Sequence, residues 1–289
     1  MIKKGIILAG GKGTRMRPLT IAVNKQLLPL YDKPLIFYPL SVLMLAKIRE
    51  VLIIVNKGQL NQFRKILPEK NNLGLSIEYR EQSNPGGLPQ AFTLGEKFID
   101  RDPVALILGD NFFYGQSLTK ILQKNINLSS GAKIFVHPVK NPHLYGVATL
   151  NKNKKIINLV EKPKKTKSNY AVTGLYFFDH KVVELTKKLK PSKRGELEII
   201  DLLNNYRKKN KLKAEFIGRG GSWLDTGNVK DFYDASNFIS TIENRQGLKI
   251  ACLEEIALKN NWIDHKNLKN AINFYGKCNY SNYLKSLIS

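Results

Sequence analysis

The sequence predicts an α/β protein built on a Rossmann-like, doubly wound mixed sheet. Three observations carry that prediction. Apolar runs at residues 5–9, 51–55, 104–108 and 132–136 are rich in Ile, Leu, Val and Ala, as strands covered on both faces require. Segments of helical period separate these runs, so strand and helix alternate along the first half of the chain. A glycine-rich turn follows the first run at once, at the carboxyl edge where open α/β sheets receive ligands.

Taken in order, residues 5–9 form the first strand. Gly10, Gly11 and Gly13 then turn the chain without a Cβ to keep backbone N–H groups away from an anion. The turn is neither of two commoner phosphate loops. A Walker A loop needs Gly-Lys-Ser/Thr, whereas Lys12 is followed by Gly13, and a dinucleotide fingerprint needs glycine where Met16 stands. A first helix is expected from Pro34, carrying Leu40, Leu43 and Met44 inward, a second over 59–67 and a third over 88–98. Beyond about residue 140 the strands shorten, at 146–150, 156–160 and 172–178, as suits a mixed sheet holding a second substrate. A helix over 229–246 precedes a tail, 254–289, carrying Trp262, Phe274, Tyr275, Tyr280 and Tyr283. No Gly/Ser linker or internal repeat divides the chain, so one compact unit is expected.

With 289 residues and 43% apolar content the chain can bury a large core. Its formal charge of +24 raises binding of a nucleic acid or other polyanion. The densest lysine groups, at 162–167, 187–193 and 207–213, lie in separate segments without interleaved aromatics, which favours a solvated surface. No apolar run approaches the length of about 18 residues that would span a membrane, and the run at 5–9 is too short for a signal-peptide core. A cytoplasmic location is therefore expected. Cys252 and Cys278 show no metal or disulfide spacing and read as packing residues, and the four histidines show no metal spacing either.

Candidate chemistry lies at strand ends. Asp110 and Asn111 follow the apolar run 104–108, placing a carboxylate where a hard cation with few protein ligands could bind, although a lone aspartate there serves equally as a helix cap. Asp225 follows an apolar pair and precedes the turn residue Gly227. Glu161, Lys162 and Pro163 end the run 156–160; Lys162 suits a phosphate and Glu161 suits sugar hydroxyls, against the alternative of a solvated basic turn. No nucleophile elbow accompanies these groups, which points to direct displacement assembled by charge and position.

The motifs Gly10-Gly11-x-Gly13-Thr14-Arg15, Lys25-Gln26-Leu27-Leu28-Pro29, Tyr31-Asp32-Lys33-Pro34, Gly109-Asp110-Asn111, Tyr145-Gly146 and Glu161-Lys162-Pro163, with the runs at 170–176, 194–199 and 223–227, resemble the sugar nucleotidylyltransferase family over nearly the whole chain. The 25–34 run and the run 243–249 resemble its short-type glucose-1-phosphate thymidylyltransferase branch. The resemblance implies the nucleotide-diphospho-sugar transferase fold and a Mg²⁺-assisted, in-line attack of α-D-glucose 1-phosphate on the α-phosphorus of dTTP, giving dTDP-glucose and pyrophosphate.

It also implies roles. Arg15 and Lys25 would stabilise the triphosphate and transition state, Asp110 and Asp225 would hold Mg²⁺, and Lys162 would neutralise the sugar phosphate. Gly10, Gly11, Gly13, Thr14 and Gln26 would line the nucleotide, while backbone at Leu8 and Gly87 and the side chain of Gln82 would read the base. Tyr145, Gly146, Glu161 and Val172 would shape the sugar pocket, and Asn111 would support the sugar or the metal shell. Residues 1–249 would form the catalytic domain, nucleotide-binding to about 140 and sugar-binding over about 141–228, with 250–289 a helical oligomerisation and regulatory tail. A homotetramer inhibited by dTDP-L-rhamnose at an inter-subunit site, serving dTDP-rhamnose and cell-surface polysaccharide synthesis, is implied too. Gly86, Pro89 and Thr149 depart from the family pattern near the base and the sugar. Two rivals remain: the same chemistry with UTP, and a polyanion-binding protein on an inactive form of this fold.

Overall fold

A computed structural model describes residues 1–288. β1 (Lys4–Ala9) leads through the glycine turn and two single-turn 3-10 helices, Thr14–Met16 and Lys25–Leu27, to a small hairpin, β2 (Pro29–Leu30) and β3 (Lys33–Pro34), and then α1 (Phe37–Leu45). β4 (Glu50–Asn56), α2 (Leu60–Ile66) and β5 (Ser76–Gln82) follow, then α3 (Gln90–Leu94), α4 (Glu96–Ile99), β6 (Val104–Leu108), β7 (Asn111–Gly115), α5 (Leu118–Asn125) and β8 (Ala132–Pro138). The later half contains β9 (Gly146–Leu150), β10 (Ile156–Glu161), β11 (Tyr170–Phe178), α6 (Val182–Lys187), α7 (Ile199–Lys208), β12 (Leu212–Phe216) and β13 (Gly221–Asp225). It closes with α8 (Val229–Gln246), α9 (Leu253–Lys259), α10 (His265–Tyr275) and α11 (Asn279–Ser286).

The main sheet runs β10-β9-β11-β6-β1-β4-β5, with β8 beside β11 and β12 beside β8. β6, β1, β4 and β5 are mutually parallel, while β11 runs antiparallel to β6 and β8. The sheet is therefore mixed, and its parallel part points its carboxyl ends at the glycine turn. One core cluster contains Ile7, Leu43, Ile53 and Phe177, another Ile6, Leu52, Phe92 and Leu203. Ile6 and Ile7, adjacent in β1, thus enter different clusters, as alternate residues of a strand covered on both faces must.

Three sequence expectations need correction. The first helix starts at Phe37, because Pro34 pairs with Pro29 in the hairpin and Ile36 N–H is held by Gln26 O at 2.9 Å. The third helix divides into α3 and α4 at Gly95, where an added Cβ would lie 3.0 Å from Ile6 Cδ1; the chain bends where it presses on the sheet. Cys252 is buried, but Cys278 is exposed and caps α11 by accepting from Ser281 N–H. The long helix, by contrast, occupies residues 229–246 as its sequence predicts, with Asn228 capping its start and Gly247 its left-handed end.

Candidate active site

The glycine turn lies at the carboxyl end of β1. Gly11 and Gly13 sit at φ 109° and 58°, so the turn uses a left-handed backbone that a side chain would strain. Gly10 faces the buried Gln82, whose Oε1 would lie 2.5 Å from a Cβ there; Gln82 is in turn held by a 2.6 Å bond to Gln90 Oε1. Thr14 and Arg15 form the single turn that follows. The Arg15 guanidinium lies over Gly227, which leaves room for it and for Asp225: a Cβ on Gly227 would be 2.7 Å from Arg15 Nη2 and 3.1 Å from Asp225 Oδ1.

Lys25 is buried at the head of the second turn, with Nζ 2.7 Å from Asp110 Oδ2. Burial pushes the Asp110 carboxyl up, but Lys25 and hydrogen bonds from Lys25 and Asn111 outweigh it and hold Asp110 below the usual carboxylate range. Asn111 is buried and fully engaged. Its Nδ2 donates to Asp110 Oδ1 at 3.0 Å, while its Oδ1 accepts from Gly174 N at 2.9 Å and Trp223 Nε1 at 2.6 Å.

β13 pairs antiparallel with β7, placing Asp225 opposite Asn111, and Thr226 donates to Asp110 O through both N–H and Oγ1, at 3.0 and 2.8 Å. This ladder brings together two carboxylates far apart in sequence. Burial and the neighbouring Asp110 raise Asp225 to about 6, Lys25 and Arg15 only partly compensating. Arg15, Lys25, Asp110 and Asp225 thus form one charged cluster.

Two cavities meet at that cluster. One, of about 280 Å³, is lined by Asp110, Tyr145, Glu161, Lys162, Arg194 and Asp225. Gly146, Asn111 and Val172 border it as well; Tyr145 packs edge-on to Trp223 at 5.0 Å, and burial raises the Glu161 carboxyl. Lys162 takes a left-handed backbone, φ 40°, with its N–H held by Tyr145 O at 3.0 Å. The other cavity, of about 290 Å³, is lined by Gly11, Lys12, Arg17, Lys25, Lys57 and Gln82. Lys25 lines the second and Asp110 the first, so their ion pair is the wall between them.

Leu8 and Gln26 lie beside this wall. Gly109 packs on both, a Cβ there falling 2.9 Å from Gln26 Cγ and 2.9 Å from Leu8 O. Gln26 Oε1 is buried with no hydrogen-bond partner among the described residues. Gly87, φ 94°, bridges to Leu197 and ties the loop after β5 to the segment that carries Arg194. Sequence reasoning missed Lys12, Arg17 and Lys57 on one side and the Arg194–Glu198 pair, 2.8 Å apart, on the other. Lys57 follows the carboxyl end of a parallel strand, a position that strand-end reasoning could have flagged.

Among the described residues no group of three or more His, Cys, Asp or Glu is placed to hold a metal. The pair Asp110 and Asp225 fits a cation that takes few carboxylates and completes its shell with water and phosphate, as Mg²⁺ does. Burial first and repulsion by Asp110 second raise Asp225, and a cation between the carboxylates would relieve the repulsion.

A nucleotidyl transferase family model matches residues 4–242. A glucose-1-phosphate thymidylyltransferase of Neisseria meningitidis is 49% identical over 285 residues, 99% of each chain. That of Mycobacterium tuberculosis strain H37Rv is 45% identical over the same shares. Among solved structures, a Bacillus anthracis protein described as a candidate glucose-1-phosphate thymidylyltransferase, bound to a sucrose, superposes with a TM-score of 0.75 and 40% identity over 81% of this chain and 94% of that one. A UDP-glucose pyrophosphorylase complexed with UDP-glucose gives 0.72 and 27% over 84% and 100%.

Proposed function

The chain belongs to the nucleotidyl transferase family, and on that premise we infer that it transfers the thymidylyl group of dTTP to α-D-glucose 1-phosphate, giving dTDP-glucose and pyrophosphate. The relatives named above support this activity over the UTP-using alternative. The observation that carries the reading is the Lys25–Asp110 wall between two cavities. A reaction joining two phosphates needs two pockets that open on one charged point.

In this reading dTTP occupies the cavity beside the glycine turn, its base near Leu8, Gln82 and Gly87 and its phosphates along Gly11, Gly13, Thr14 and Gln26. Glucose 1-phosphate occupies the other, with Glu161, Tyr145, Gly146 and Val172 around the sugar. A phosphate oxygen attacks the α-phosphorus in line and pyrophosphate leaves. The nucleophile is already an anion, so no general base is required, and the protein's task is alignment and neutralisation of spread charge. Arg15 and Lys25 neutralise the triphosphate, Lys162 the incoming phosphate, and Asn111 holds Asp110 in place. Asp110 and Asp225 would hold Mg²⁺, which supplies further charge neutralisation at the phosphates when bound.

Residues 1–249 serve as the catalytic domain, with nucleotide and sugar parts dividing near residue 140, and 250–289 as the oligomerisation and regulatory tail of a cytoplasmic homotetramer. Feedback by dTDP-L-rhamnose at a separate site is supported by a cavity of about 430 Å³ lined by Tyr114, Leu118, Gln123, Lys249, Ala251 and Glu255. No helix among the described residues is long and apolar enough to cross a membrane.

The test is pyrophosphate release from dTTP and, separately, UTP with glucose 1-phosphate and Mg²⁺, repeated with Asp110→Asn and Lys162→Ala. Release favouring dTTP and collapsing in both variants is expected. A thymine methyl in an apolar pocket is worth roughly 1–3 kcal/mol, so some turnover of UTP is expected as well. Folded protein that releases no pyrophosphate with either nucleotide would overturn the reading.

A further inference from the structure

The glycine turn and Lys25 must sit at a fixed separation to grip one triphosphate, yet the chain between them cannot set it. Residues 17–23 run over the surface, with Leu19, Ile21 and Val23 exposed by 43%, 72% and 39%. Thr20 ties the middle of this stretch back to Gly13 O at 2.7 Å, but not forward to Lys25. The connection is made through side-chain amides instead.

Asn56, the last residue of β4, takes the Gly11 N–H on Oδ1 and donates from Nδ2 to Gly11 O, both at 2.8 Å. The same Nδ2 lies 3.1 Å from Gln59 Oε1, and a turn through Gly58 at φ 82° brings the two side chains together. Gln59 Oε1 also accepts from Asn24 Nδ2 at 2.6 Å. Asn24 is 3% exposed; its Oδ1 accepts from Gln26 N at 2.8 Å and caps the turn that presents Lys25, while its Nδ2 reaches back to Ala9 O at 3.2 Å. One chain of amides, Gly11–Asn56–Gln59–Asn24–Gln26, thus spans from the glycine turn to the lysine's own helix. All but Gln26 line the nucleotide cavity.

We propose that Asn24, Asn56 and Gln59 are positioning residues that set the distance between the glycine turn and Lys25. Gln59 is the joint, because a single oxygen receives both donors. The proposal rests on the reading of this cavity as the dTTP site.

Gln59→Met removes the joint without adding charge and leaves the local bonds of Asn56 to Gly11 and of Asn24 to Gln26 in place. It is expected to lower kcat/KM for dTTP by about 10–100-fold, the scale of misplacement by a fraction of an ångström to one ångström, while KM for glucose 1-phosphate stays within about twofold. In Asn56→Ala, adding Gln59→Met should lower kcat/KM no further, since the chain is already cut; independent roles would multiply. Hydrogen exchange gives a readout besides turnover: peptides covering residues 9–16 and 24–28 should both exchange faster in Gln59→Met. Multiplicative losses, equal effects on both substrates, or unchanged exchange in either peptide would overturn the proposal. A wild-type protein that makes no pyrophosphate would count against the dTTP reading, and the exchange pattern would still decide whether the amide chain couples the two segments.

Discussion

Asp225→Asn should make the metal-free protein more stable while abolishing turnover. The Asp225 carboxyl rises from 3.8 to about 6 on folding, through burial first and the nearby Asp110 second. At about 1.4 kcal/mol per pK unit, holding it ionised costs the fold roughly 3 kcal/mol at pH 8. The sign follows from proton uptake: between the two values the folded state binds the proton and the unfolded state does not, so stability falls as pH rises. The cost is absent below 3.8 and complete above 6, with about half of it developing between pH 5 and pH 8. Asparagine keeps the shape and removes the charge, and because the value of about 6 already contains the attraction of Lys25 and Arg15, the net gain should be about 2–3 kcal/mol at pH 8. Urea denaturation of both proteins in EDTA at pH 5 and pH 8 measures it. A variant less stable than wild type at pH 8, or a gap that does not change between the two pH values, would refute the electrostatic reasoning.

Other perturbations test the frame around the site. Gly87→Ala would place a Cβ 2.1 Å from Leu197 O at φ 94°, so a loss of about 3 kcal/mol or more and a raised KM for both substrates are expected from denaturation and kinetics. Lys33→Met leaves the buried Glu243, now 3.1 Å from Lys33 Nζ, with Lys249 as its one charged partner among the described residues; denaturation should show a loss of about 2–4 kcal/mol. Tyr280→Phe removes a 2.6 Å bond to the buried Glu254 and should lower stability by about 1–2 kcal/mol in the same assay, without changing the KM for dTTP.

β1, β4 and β6 of the parallel part were legible because residues such as Leu52, Ile53 and Ile54 have no polar alternation to mistake for a helix, whereas β5, an edge strand that exposes Ser76, Glu78, Arg80 and Glu81, was not; α8 was legible because Asn228 and Gly247 mark its ends chemically. The division at Gly95 was not, since it depends on contact with Ile6, a residue nearly ninety positions away. The candidate site divides in the same way. The glycine turn, Lys25 and Asp110 declare themselves by their neighbours in the chain and by a strand end. That Asp225 lies opposite Asn111 comes from the pairing of β13 with β7, which no local spacing encodes, and only the family resemblance anticipated it. Lys57 and the amides of Asn56 and Gln59 carried no motif, and their significance comes from what the fold brings beside them.

The short hairpin β2–β3 bears on how such a fold can be shortened. Lys33 leaves it to meet Glu243, one residue beyond the segment shared by the nucleotidyl transferase family, and Lys249 closes on the same glutamate and on Asp32. Glu243 lies in the last turns of α8, so the end of that helix supplies a counter-charge to a lysine of the hairpin that is itself sealed from water, and the two parts are held together by a charge neither can leave exposed to the interior. Shortening this chain after residue 242 should therefore leave Lys33 with Asp32 alone, whereas shortening it after residue 249 keeps both Glu243 and Lys249 beside it.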